Sequence, residues 1–283
     1  QPVVDNSNPL QVYVGNPDLK AAYAHSLRLR YMAFSQFTFS SFFATLNATY
    51  TSNSITNTVA IDSQLVQLTQ PVNVDRDINV NTYVAYSTPI RPLKVKINVR
   101  PSLVYNRSIL FVNAVENNSD RLVSSVNFSV DNRKKEDIDI RVGAKFSHNL
   151  TNYSENTDLN QTFFTSNYYT DLVFNLSDRW TLSSTFDYTV YTGQAFADNE
   201  AIPVWQGSVS RFLFNDKRGE LKLSVFDILD QNQGFSRNST FNYIEEQRSN
   251  ALGRYYLVSF TYAMRGFKKP SGGWWSRFGD SRR

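Results

Sequence analysis

Over residues 93–100 the chain alternates without a fault. Leu93, Val95, Ile97 and Val99 are apolar, and Lys94, Lys96, Asn98 and Arg100 are polar. A helix would bring Lys94 and Ile97 onto one face, whereas a strand sends successive side chains to opposite faces. The stretch therefore reads as a strand with one dry and one wet face. The same period recurs along the chain. Ile138, Ile140, Val142, Ala144 and Phe146 alternate with Asp139, Arg141, Gly143, Lys145 and Ser147. Ile78, Val80, Val84 and Tyr86 alternate with Asn79, Asn81, Tyr83 and Ala85, and Val126, Phe128 and Val130 with Asn127, Ser129 and Asp131. Trp180, Leu182, Phe186, Tyr188 and Val190 oppose Thr181, Ser183, Thr185, Asp187 and Thr189, and Tyr256, Val258, Phe260 and Tyr262 oppose Tyr255, Leu257, Ser259 and Thr261.

The links between these runs fall into two alternating kinds. Short ones lie at 35–37, 88–92, 132–137, 175–179 and 215–219, and longer polar ones at 62–65, 116–121, 154–161, 193–201 and 231–250. Short on one side and long on the other is the wiring of an outer-membrane β-barrel. The spacing predicts about eleven strands, beginning near Ser26, Ser41, Val66, Leu93, Leu122, Ile138, Thr162, Trp180, Ile202, Leu221 and Arg254. Residues 1–20 read as an external loop, 1–266 as barrel wall and 267–283 as a tail. An odd count beginning on an external loop leads us to expect that the first portion of the barrel lies outside this chain, because single-chain bacterial barrels close with even numbers.

Composition agrees. Charged residues are 19% and aromatics 14% of 283 residues, which favours strands and turns. No apolar run approaches the roughly 18 residues of a membrane-crossing helix, but a barrel strand shows lipid only every second side chain. Cysteine is absent, which removes disulfides, thiolate metal sites and thiol catalysis. A net charge of +4 spread along the chain offers no nucleic-acid groove.

Two terminal stretches carry a resemblance. The first is Gln1-Pro2-Val3-Val4-Asp5-Asn6-Ser7-Asn8-Pro9-Leu10 followed by Val14-Gly15-Asn16-Pro17-Asp18-Leu19-Lys20. The second is Gly219-Glu220-Leu221-Lys222-Leu223-Ser224-Val225-Phe226-Asp227-Ile228-Leu229-Asp230-Gln231-Asn232 with Arg254-Tyr255-Tyr256-Leu257-Val258-Ser259-Phe260-Thr261-Tyr262. They resemble the barrel of TonB-dependent receptors, and more closely the receptor-like "outer membrane protein beta-barrel" family common in Bacteroidota. Ala21-Ala22 departs from the Pro-Glu frequent at that point in such loops. The resemblance implies an all-β, antiparallel transmembrane barrel in the bacterial outer membrane, with this chain the C-terminal half of a barrel of about 22 strands. It also implies a plug domain and a second barrel half, on the same chain or another. Read physically, Gly15-Asn16-Pro17 is turn punctuation leading into a strand, and a structural loop is favoured over a ligand contact from Asp5, Asn6 or Asn16.

By phase, Lys94, Lys96, Arg100, Asp139, Arg141 and Lys145 are candidates to face the barrel interior. They form either a paired network, the favoured reading because both signs are interleaved with Asp131, or a surface for a plug or an anionic substrate. Trp180, Tyr188, Tyr256 and Tyr262 are candidates for the aromatic girdle at the membrane interface. Trp274, Trp275 and Arg277 sit in a basic tail that could contact a periplasmic partner. His25 and His148 lack metal-ligand spacing, and Glu245-Glu246 reads as solvated loop. His148 lies between Ser147 and Asn149, but strand neighbours point apart. We expect no cofactor, no metal, no nucleic acid and no enzymatic activity. The expected function is uptake of a bulky nutrient through a receptor-like transporter. The alternative is a structural or docking barrel in an assembly with a surface lipoprotein or a secretion complex.

Overall fold

Among the described residues, regular structure consists of fifteen strands and a one-turn 3-10 helix at Thr157–Leu159. The strands are β1 (Val4–Asn8), β2 (Gln11–Val14), β3 (Tyr23–Ser35), β4 (Ser40–Ile61), β5 (Gln67–Ile90), β6 (Val95–Val112), β7 (Val115–Asn132) and β8 (Ile138–Tyr153). There follow β9 (Gln161–Ser177), β10 (Trp180–Gly193), β11 (Glu200–Leu213), β12 (Gly219–Phe226), β13 (Phe235–Ser239), β14 (Ile244–Arg248) and β15 (Tyr255–Tyr262). The structure, a computed structural model, describes residues 4–8, 11–61, 66–112, 115–132, 137–155, 157–193, 200–232, 234–239, 244–248 and 252–264. Eleven strands, β3 to β12 and β15, form one antiparallel meander in chain order. Their positions match the eleven expected from alternation. Among the described residues, β3 pairs only with β4 and β15 only with β12, so the sheet has two free edges.

The two faces of the sheet have the polarity of a soluble protein reversed. Phe128, Val142, Phe146 and Leu223 are exposed, while Ser129, Asp131, Thr151, Thr185 and Ser210 are buried. A curved sheet crowds side chains on its concave side, so the buried polar set marks the inner face. Apolar residues left on the outer face are what a wall standing in hydrocarbon requires. Among the described residues no helix is long and apolar enough to cross a membrane.

The register is staggered as a barrel demands. One row of paired residues runs from Thr88 through Ile97, Val130, Val142, Thr170 and Phe186 to Trp205. Thr88 lies two residues before the end of β5 at Ile90, whereas Trp205 lies eight before the end of β11 at Leu213. The short turns thus descend steadily from strand to strand, which tilts the strands and curves the sheet. Pro101, which has no N–H to give, interrupts the β5–β6 ladder: pairing stops at Tyr83 with Ser102 and resumes at Tyr86 with Val99.

Gly143 fixes the packing of the inner face. A Cβ there would lie 2.3 Å from Tyr169 Cζ and 2.8 Å from the Phe128 carbonyl. The Tyr169 ring therefore crosses over Gly143 from β9, and its hydroxyl donates to Asn127 Oδ1 on β7 at 3.0 Å. An aromatic ring covering a strand glycine in this way pins register across three strands.

Three sequence expectations are corrected. Residues 116–121 are not a loop: they lie in β7, and β6 and β7 are joined at 113–114. The Asn and Ser residues there resemble a loop because strand ends that project beyond the membrane are wet on both faces and lose the alternation. Segment 1–20 is not wholly loop, since β1 and β2 pair with each other and β2 adds in parallel to β5. That addition uses an overhang of the β4–β5 hairpin. At Asn53, with φ 48°, pairing skips from Ser52–Arg76 to Ser54–Val74. Beyond this break, at which the register is unchanged, β4 meets β6 at Thr58 and Val59 and β5 receives β2. Lys94 is not on a strand face: it lies in the turn 91–94 at φ 54°, where its N–H closes on the Arg91 carbonyl at 3.1 Å. The tail 267–283, with Trp274, Trp275 and Arg277, lies outside the described residues.

The Gly143 arrangement yields a prediction. Gly143→Ala displaces Tyr169 and should lower the unfolding free energy in lipid vesicles by about 1–3 kcal/mol. Tyr169→Phe, which loses one hydrogen bond, should cost about 1 kcal/mol. Equal urea midpoints for Gly143→Ala and the unsubstituted chain would refute the packing role.

Candidate functional site

The inner face is the candidate site, and its chemistry follows from the register. Lys96, Arg100, Asp139, Arg141 and Lys145 share the side occupied by the buried Asn98, Ser129, Asp131 and Asn149. Strand pairing then arranges the charges in two distinct tiers.

The lower tier is compensated. Lys96 on β6 is opposite Asp131 on β7, Asp131 is opposite Arg141 on β8, and Arg141 is opposite Asp171 on β9. Arg141 Nε donates to Asp131 Oδ1 at 2.7 Å, and Asn98 Nδ2 donates to Asp131 Oδ2 at 3.0 Å. Asn98 Nδ2 also donates to Ser129 Oγ at 3.2 Å, and Asn98 Oδ1 accepts from Ser87 Oγ at 2.8 Å. A charge withdrawn from water is tolerated only when paired and hydrogen-bonded, and Asp131 has both kinds of support. Asp171 was not evident from sequence, because only the β8–β9 register brings it to Arg141.

The upper tier is of one sign. Arg100, Asn127, Lys145, Asn167 and Thr189 follow one another from β6 to β10. On β3, Arg28 and Arg30 lie on the same face and face Asn47 and Thr45 of β4. Arg28 Nε donates to Asn47 Oδ1 at 3.0 Å, and the Arg30 guanidinium stands 5.8 Å from the Phe43 ring centre. Ser26-Leu27-Arg28-Leu29-Arg30-Tyr31 alternates as cleanly as residues 93–100, so the sequence carried the signal for both arginines.

The outer face gathers the aromatics. Trp180 is exposed at the short-turn end of β10, with the Arg211 guanidinium 5.2 Å from its ring. Tyr188 stacks on Tyr168 at 6.4 Å, and Tyr168 meets Phe146 edge-on at 5.8 Å. The eight residues from Trp180 to Tyr188 span roughly 26 Å of strand, or about 20 Å along the normal at a tilt of ~40°, comparable to an apolar band of ~25 Å. Tyr256 and Tyr262 are exposed on the free-edged β15, where Tyr262 meets Phe214 edge-on at 6.0 Å.

Neither histidine is placed for catalysis or metal binding. His148 faces outward and stacks on Phe164 at 4.5 Å, while Ser147 and Asn149 point inward. His25 packs edge-on against Tyr23 at 4.8 Å. Among the described residues no group of three or more His, Asp and Glu side chains could hold a metal ion. Glu245 and Glu246 pair in register with Asn238 and Arg237 in the β13–β14 hairpin.

The two motifs that carried the resemblance form backbone clasps. Asn16 accepts from the Asp18 N–H at 2.9 Å and donates to the Pro71 carbonyl at 3.0 Å. Asn73 accepts from the Lys20 N–H at 2.7 Å and donates to the Lys20 and Asn53 carbonyls at 2.9 and 2.8 Å. Asn73 thereby locks the segment before β3 against the break in pairing at Asn53. In the second motif the buried Asp227 accepts from the N–H groups of Gln231 and Asn232, at 3.2 and 2.9 Å. Asp230 accepts from the Arg254 N–H at 2.8 Å, which joins the exit of β12 to the entry of β15.

The tiers differ in what substitution should do. Arg141→Gln leaves the Asp131 carboxylate without its cation and should cost about 2 kcal/mol, less than for a fully buried pair because Arg141 keeps some contact with water. Lys96→Gln, at an exposed position, should cost under about 1 kcal/mol. Urea unfolding of both variants in vesicles checks this, and equal losses would show that the lower tier is not a structural network.

The comparisons with known proteins agree with this geometry. A search of curated proteins and a search of solved structures returned no match. The model of the outer membrane protein beta-barrel family matches residues 1–262. That span contains the whole staggered meander with its apolar outer and polar inner faces, and the chain belongs to the outer membrane protein beta-barrel family.

Proposed function

We propose that this chain is the wall of a receptor-like transporter that takes up a bulky nutrient across the outer membrane, by binding and passage and without catalysis. The observation that carries this reading is the polar, charge-bearing inner face along a sheet whose outer face is apolar. A barrel serving only as an anchor has no need of an ordered charge pattern inside. β4 and β5, of 22 and 24 residues, extend well beyond the roughly 9–11 needed to cross, and such overhangs suit capture of a large solute on the external side. The terminal motifs, similar to those of TonB-dependent receptors of the Bacteroidota type, point the same way.

This reading includes closure by further strands. An open edge in hydrocarbon leaves backbone groups unsatisfied at several kcal/mol each. β3 and β15 both run toward the short turns, so antiparallel closure between them takes an odd number of additional strands. About eleven would give the ~22-stranded size of plugged transporters. A plug domain would then fill the interior, and a surface lipoprotein or periplasmic partner would supply capture or coupling.

Two measurements test the proposal. Because the chain has no cysteine, single cysteines can be placed and labelled without background. A fluorophore at Phe128 or Phe146 should be quenched by brominated lipid, and one at Ser129 or Ser147 should not. Deletion in the native host should abolish growth on a particular large nutrient. Unimpaired growth on every large nutrient, with stable co-isolation of other envelope proteins, would replace transport by the docking role.

A further inference from the structure

Most of the inner wall is neutral or charge-balanced, and one band of it is not. Three successive inner rows illustrate this. The first holds Met32 and Phe43, then Arg100, Asn127, Lys145, Asn167 and Thr189. The second holds Arg30, Thr45, Tyr83, Ser102, Ser125, Ser147, Thr165 and Tyr191. The third holds Arg28, Asn47, Asn81, Val104, Val123, Asn149 and Phe163. From β3 to β10 these rows contain four cations and no carboxylate; the carboxylates nearest in register are Glu200, next in the second row on β11, and Asp187, one row below Thr189 on β10, both on the far side of the sheet from β3. The compensated tier of Lys96, Asp131, Arg141 and Asp171 lies two rows below the first of them.

We propose that this barrel binds an extended, hydroxyl-rich anionic solute along the cationic band formed by Arg28, Arg30, Arg100 and Lys145. The solute class is an oligosaccharide bearing carboxylate or sulfate groups, and the proposal rests on the transport reading above. Three features favour it. The cations are spread from β3 to β8, five strand spacings or about 24 Å, which matches a chain of charges better than a single phosphate. The side chains between them are amides and hydroxyls, Asn47, Asn81, Asn127, Asn167, Ser102 and Ser125, which donate to and accept from sugar hydroxyls. The cations are also accessible: Arg28, Arg30 and Lys145 are exposed and Arg100 is half-buried. Like charges held along one wall raise the local concentration of an anion and weaken in salt. The paired tier below keeps the wall rigid without cancelling this field.

The test uses the full-length protein in detergent, with heat-shifted gel mobility confirming that each variant is folded. Fluorescein-labelled dextran sulfate and neutral dextran of equal length are the probes. Dextran sulfate should bind, with affinity falling as salt rises, and neutral dextran should not. The combined variant Arg30→Gln, Arg100→Gln, Lys145→Gln should bind dextran sulfate about tenfold or more weakly, whereas Lys96→Gln, on the compensated tier, should change binding less than twofold. Equal binding by the triple variant and the unsubstituted protein would overturn the proposal, as would an equal loss in Lys96→Gln. No binding by the unsubstituted protein would also overturn it, and would point to a band already neutralised by an acidic segment of a plug. Each of these results leaves the transport reading standing. Loss of binding in the triple variant, together with unimpaired growth of the deletion strain on all large nutrients, would keep the anion site and remove transport.

Discussion

Backbone hydrogen bonding in hydrocarbon is the constraint on which the rest of this structure depends. A peptide group facing lipid has no water to turn to, so each strand must be paired along the whole of its crossing. The meander from β3 to β12 and on to β15 meets that demand by joining each strand to the next in the chain, with neighbours antiparallel throughout. The ladder gap at Pro101 falls where proline has no N–H to offer, and β6 keeps its full pairing to β7 on the other side. Among the described residues, β3 and β15 each have a partner strand on one side.

Once the backbone is satisfied, side chains are free to differ between faces. Outward positions carry Leu, Val, Phe and Tyr, and inward positions carry Ser, Thr, Asn and paired charges. Polar burial on this scale would be costly in a soluble core. Here it is supported by cross-strand partners, of which Asp131 with Arg141 and Asn98 is the clearest case. Gly143 and Tyr169 show that steric fit also operates on the polar face, since the ring occupies the volume that a Cβ would need.

The external ends follow another logic. There water reaches both faces, and the chain uses clasps in place of alternation. Asn73 holds the two backbone groups of Lys20, and Asp227 and Asp230 hold the ends of the 227–254 connection. The residues that give the chain its family character are therefore chiefly those that fasten loops to strands.

Alternation alone determined the all-β class, the number of strands in the meander, their starts to within a few residues except for β7, and the face on which Lys96, Arg100, Asp139, Arg141 and Lys145 stand. Period two is a local property, and a one-residue error would invert it, so short segments suffice to read it. What pairs with what was beyond reach, because register depends on the partner strand. Only the fold set Asp171 opposite Arg141, divided the cations into a compensated tier and a single-sign band, and brought Arg28 and Arg30 onto the wall that holds Arg100. It also turned residues 116–121 from apparent loop into strand, put Lys94 in a turn, and gave β2 a partner in β5. For Asp171, for the cationic band and for β2 the deciding partner lay tens of residues away along the chain, whereas for Lys94 and residues 116–121 local composition was ambiguous.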